Sequence, residues 1–172
     1  MCRLVQRAIL ADDEEALERL MPYIKCLNAF ILDKKSLLAH KTVTHRTSRM
    51  TKAQADPIQP GDKYRLGMYV ATATRRGVVK ELREWQQSEM GGRELKYTWV
   101  FTIPKGCRQA TKISSVSHYA KEHEVLLVPF SAILVTGKTL NRDSGMVEIS
   151  ADVLEDSNVL EDSPLDLPTA PA

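Results

Sequence analysis

The stretch YAKEHEVLLVPFSAILV, residues 119–135, sets Glu122 and Glu124 one residue apart immediately before an apolar run of β-type residues. On an extended chain the side chains at i and i+2 share one side, so the two carboxylates repel unless a cation comes between them. That geometry needs a reason, and a cation between the carboxylates would supply one. The plain alternative is a strand start whose polar face is acidic, and the flanking residues must decide between the two. No zinc-ligand spacing, phosphate-binding glycine loop or Ser-His-Asp order competes, and the eight glycines form no dinucleotide fingerprint, so no metal is predicted.

The elements that position this pair follow from periodicity. Leu17, Leu20, Ile24, Leu27 and Ile31 recur at helical spacing after Asp12 or Asp13, either of which can cap the helix, with a kink or restart predicted at Pro22. KTVTHR, residues 41–46, reads as a short strand, QPGD as a turn, RLGMYVATATR as strand and loop, and GVVKELREW, 77–85, as a short helix. In KYTWVFTIP, Tyr97, Trp99, Phe101 and Ile103 alternate with Thr98, Val100 and Thr102, the pattern of a strand with one buried aromatic face. Short strands are predicted at ATKIS, EVLLVP, SAILVT and MVEISA. Helix early and strand late give an α+β fold with a mainly antiparallel sheet.

A chain of 172 residues suits one compact domain, here 1–151, followed by a tail, 152–172. The tail holds six acids and no Lys or Arg, repeats VLEDS and ends in SPLDLPTAPA, a composition that favours disorder. All 24 basic residues and 16 of the 22 acids lie before it, which leaves the body at +8. That sign attracts anionic ligands, but no basic stripe with interleaved aromatics supports a nucleic-acid partner. Cys2, Cys26 and Cys107 are odd in number and scattered, as reduced thiols are. No segment reads as a signal peptide or membrane span, so a soluble, cytoplasmic monomer is predicted, with non-classical secretion left open.

Residues 97–135, YTWVFTIPKGCRQATKISSVSHYAKEHEVLLVPFSAILV, resemble the C-terminal half of the arginine-specific mono-ADP-ribosyltransferases: a strand, an Ile-x-x-Gly turn, Ile-Ser, an aromatic residue, then Glu-x-Glu-Val-Leu and a proline. A looser likeness extends from about LMPYIKCLNAF to residue 151. Members of this type carry an arginine at the end of a strand, a Ser-Thr-Ser strand and the Glu-x-Glu. The resemblance puts Arg46, in VTHRTS, in the first position, where a guanidinium fork can pair with a phosphate of NAD or hold neighbouring loops together. Thr72, in YVATATR, takes the centre of the second motif, with Ala71 and Ala73 where the family has serines and Thr47 where it has glycine. A hydroxyl near the nicotinamide ribose is thereby lost unless Thr72 or Thr74 replaces it. His45 raises a rival alignment with the polymerase-like branch of the superfamily, which the Glu-x-Glu disfavours.

What the resemblance implies is a fold of N-terminal helices and two short, mainly antiparallel sheets around a cleft for NAD, the co-substrate. Glu124 matches the catalytic glutamate, whose carboxylate stabilises the oxocarbenium-like sugar as nicotinamide leaves. Glu122 matches the position that holds and deprotonates the acceptor guanidinium of a target protein, and Tyr119 the loop aromatic that packs on that arginine. Ser114 and Ser115 resemble the loop entrance, without an assigned role. Two other readings stay open: an NAD glycohydrolase on the same fold, and a catalytically degenerate module argued from Ala71, Ala73 and Thr47. More helix commonly precedes the first motif in the family, so an N-terminal piece is a possible omission from this chain.

Overall fold

The computed structural model describes residues 2–32, 38–74, 95–114, 123–141, 146–155 and 167–171. Two helices open the chain, α1 (Cys2–Ala11) and α2 (Glu14–Leu32). The first was not anticipated, although Val5 and Ala8 are buried at a helical spacing of three. Asp13 caps α2, its Oδ1 accepting from the Ala16 backbone N–H at 3.0 Å, and Glu14 and Glu15 in the first turn complement the positive end. The helix runs through Pro22 without a restart. Its apolar stripe explains the continuity: Leu20, Ile24, Leu27 and Ile31 pack with Val5 on Tyr69 and Leu126 of the sheet, and that burial outweighs one lost backbone bond.

The strands are β1 (Thr42–Met50), β2 (Lys63–Arg65), β3 (Val70–Ala73), β4 (Leu95–Ile103), β5 (Ala110–Lys112), β6 (Glu124–Leu127), β7 (Ala132–Asn141) and β8 (Met146–Val153), with a short α3 (Lys52–Ala55) after β1. They pair in the order β2-β7-β8-β4-β1-β3-β6-β5, all antiparallel except β4 with β8. The expected α+β class and mainly antiparallel pairing hold. The two expected sheets are joined into one hydrogen-bonded order, but only just: β1 meets β3 at a single pair, His45↔Ala73, between a five-strand half and a three-strand half. The alternation read in β4 is borne out, since Tyr97, Trp99, Phe101 and Ile103 are all buried in the main core with Val70, Val125 and Leu127. The helix expected at 77–85 lies outside the described residues.

The tail is a correction. Its boundary at 151/152 falls inside β8, where Asp152 pairs with Leu134 and Val153 with Ile133. Residues 167–171 return to the free edge of β2: the Arg65 N–H donates to Pro168 O at 2.9 Å and the Ala170 N–H donates to Arg65 O at 2.8 Å. Gly67 makes room for this, because a Cβ there would stand 2.6 Å from Thr169 Cγ2. Composition misled here because only Leu167 and Ala170, both buried, anchor the segment. Removing everything after Ala151 therefore strips core contacts as well as acidic residues. Among the described residues no helix is long and apolar enough to cross a membrane.

Candidate functional site

Register brings the site together at the junction of the two halves of the sheet. His45 of β1 stands opposite Ala73 of β3, and Ala73 stands opposite Glu124 of β6. Residues directly opposite one another share a face, so His45, Ala73 and Glu124 form a row across three strands. Alternation puts Ala71 and Leu126 on that face too, and both pack under α2. Glu124 is half-buried at the first position of β6, its carbonyl held by the Ile113 N–H at 3.0 Å.

Arg46, the next residue after His45, sits where β1 and β3 part. Opposite it in β4 is Trp99, while its Nη1 donates to Ala71 O at 3.0 Å, a side-chain bond across the seam where backbone pairing has stopped. Burial lowers the pKa of this guanidinium, the expected sign for a cation removed from water. Its Nε is buried with no hydrogen-bond partner. A half-buried cation whose Nε has no partner suits an anion. The bond to Ala71 ties β1 to β3.

Thr72 differs from expectation. It alternates with Ala71 and Ala73, so it lies on the face away from Glu124, is 3 % exposed, and its hydroxyl donates to Val125 O at 2.9 Å. It clamps β3 to β6 rather than facing the row. Thr74 does reach the neighbourhood: its backbone N–H and its hydroxyl both donate to His123 O, at 3.3 Å each, fixing the residue before Glu124. His123 has φ 48, a left-handed conformation outside β6. Glu124 thus opens β6 directly after a left-handed residue.

Glu122, Tyr119 and Ser115 lie outside the described residues, and Ser114 is half-buried at the start of that segment. The residue that sequence reasoning set aside is His45. Neighbours on a strand face opposite sides, so Arg46 and His45 cannot both point towards Glu124 from regular β1, and the long-range pairing with Ala73 puts His45 in the row. Its position next to Arg46 and the rival alignment it raises were the signals of this in the chain.

No protein-family profile matches the sequence, and neither does any curated protein. Solved structures do. The ADP-ribosyltransferase Vis from Vibrio splendidus, in complex with agmatine, superposes with a TM-score of 0.70 at 20 % identity, over 91 % of this chain and 70 % of that one. A C3-type ADP-ribosyltransferase from Clostridium botulinum gives 0.64 at 13 % identity, over 87 % and 78 %. C3stau2 from S. aureus, with NAD, gives 0.60 at 17 % identity, over 81 % and 73 %. At such identities what is shared is the fold, and the fold of this chain is that of the ADP-ribosyltransferases.

Proposed function

We propose that this protein transfers ADP-ribose from NAD to the guanidinium of an arginine in a target protein. The observation that carries the reading is Glu124 at the head of β6, in one row with Ala73 and His45 and beside the seam held by half-buried Arg46, on this fold. The bond between C1′ of the ribose and the nicotinamide nitrogen breaks, and its electron pair leaves with nicotinamide. Glu124 stabilises the positive charge left on the sugar, Arg46 holds a phosphate, and a guanidinium nitrogen attacks C1′ and loses a proton. Glu122 is the group assigned to hold that guanidinium and take the proton, and Tyr119 to pack on it. Thr72 acts through the β3–β6 clamp. The agmatine bound to Vis carries a guanidinium, and C3stau2 is solved with NAD, both of which support this choice of substrates.

Ala73 favours a second reading. It stands directly opposite Glu124 and offers a methyl where a hydroxyl would brace the carboxylate, as a non-catalytic interaction module on this fold would. Incubation with NAD labelled in its ADP-ribose part, together with arginine-rich proteins, separates the readings. Label on protein is the expected result. Free labelled ADP-ribose alone would make the protein a glycohydrolase, and intact NAD would leave the interaction module. In the same assay Glu122→Gln should cut protein labelling far more than release of ADP-ribose into water; an equal fall in both would remove Glu122 from acceptor recognition.

A further inference from the structure

One cavity lies apart from this site, a space of about 340 Å³ between α1, α2 and the turn after β6. Leu17, Ile24 and Val128 line it, together with Met21 and Phe130, whose surfaces are 38 % and 42 % exposed. Three non-glycine residues of the described chain have left-handed backbone: His123, which precedes Glu124, and Asp12 (φ 51) and Phe130 (φ 65), both of which line this cavity. Aspartate tolerates that conformation. For an aromatic residue it is strained, and such strain collects at binding and catalytic positions. Here it holds an apolar ring in the open, with the Arg65 guanidinium 5.5 Å from the ring centroid.

Charge and position add to this. The Asp12 carboxylate makes no hydrogen bond or ion pair among the described residues, and exposed Glu14 and Glu18 carry further negative charge at the same end of α2. Glu124 and Leu126 share one face of β6, and Val128, just past its end, packs in the same cluster as Leu126, so the cavity lies on the side that carries Glu124, roughly 13 Å further along the chain. Leu126 between them is covered by α2. A free guanidinium compound at Glu124 does not extend to the cavity, whereas a protein surface spans both.

We propose that this cavity docks the protein that carries the acceptor arginine, taking one large apolar side chain of that protein with a basic residue beside it against Asp12. This rests on the transferase reading and deepens it: the Glu124 site selects the reacting group, and the cavity selects the protein. A basic segment is the chemistry complementary to Asp12 and its acidic neighbours, and an apolar anchor is what the cavity walls and the Phe130 ring accept.

The test compares three acceptors, namely water, agmatine and a histone mixture, in wild type, Asp12→Asn and the double variant Met21→Gln/Phe130→Gly. Asparagine and glycine both suit the left-handed backbone, and glutamine is a good helix former, so these variants keep the fold. The double variant is expected to lose histone labelling tenfold or more, through a raised KM, with agmatine labelling and NAD hydrolysis within twofold of wild type. Asp12→Asn is expected to lose histone labelling less, with a weaker dependence on salt. Unchanged histone labelling in the double variant, or an equal fall with all three acceptors, would overturn the docking site. A wild-type protein that labels neither agmatine nor histones would instead bring down the transferase reading, and the docking site with it.

Discussion

In the five-strand half of the sheet β1, β4, β7 and β8 run for 9, 9, 10 and 8 residues, whereas β3, β6 and β5 in the other half have 4, 4 and 3. The long half carries the stacked pair Trp99 and Phe101, with ring centroids 5.7 Å apart, in the main core. The short half carries Glu124 and is hydrogen-bonded to β1 through one residue pair and one arginine, while Val70, Val125 and Leu127 join the shared core. Long registers and aromatic burial supply stability; the carboxylate proposed to act on the sugar stands on the less paired strands, next to the break in backbone pairing. β1 belongs to both tasks, since it is the outer strand of the stable half and presents His45 and Arg46 to the other.

If stability resides in the long half, truncating its largest buried side chain should have the greatest effect. Trp99→Ala should cost about 3–5 kcal/mol in denaturant unfolding, with both halves lost in one transition. A loss confined to β3, β5 and β6 would break the comparison.

At the seam, Arg46→Lys keeps a charge but loses the planar fork that reaches Ala71. We expect about 1–3 kcal/mol of destabilisation, weaker NAD binding, and faster amide hydrogen exchange in β3 with β4 unaffected. Unchanged exchange in β3 would mean that Arg46 does not hold the halves together.

Within the short half, Thr72→Val keeps the shape and removes the bond to Val125 O. About 1 kcal/mol and a several-fold fall in turnover should follow, with NAD affinity unchanged and Thr72→Ser restoring most of the loss. A drop in NAD affinity at full stability would return Thr72 to the ligand-contacting role that the motif suggested.

What was legible in the sequence had a local signature. The alternation of Tyr97, Trp99, Phe101 and Ile103 needs only one strand to be seen, and so does the stripe from Leu20 to Ile31. The ends of β7 and β8 were not legible, because Gly137, Lys138 and Thr139 extend β7 by backbone pairing with β8, which leaves no apolar trace. The side to which Thr72 points, and the row linking His45 with Glu124, depend on pairing between segments about 30 and 50 residues apart, and a one-residue slip would reverse them. The returning segment at 167–171 was hidden by the acidic, proline-rich residues around it. Motif identity thus located Arg46 and Glu124, while the facing of the residues between them came only with the fold.

The central claim is that Glu124 acts on the sugar cation, a step common to transfer and hydrolysis. Glu124→Gln keeps the size and hydrogen-bonding reach of the side chain and removes its charge. Nicotinamide release should be measured for wild type and variant alongside NAD affinity by titration calorimetry. The expected result is a fall in release of about 10²–10³-fold or more with affinity changed only a few-fold; release at the wild-type rate from a folded Glu124→Gln protein would contradict the claim.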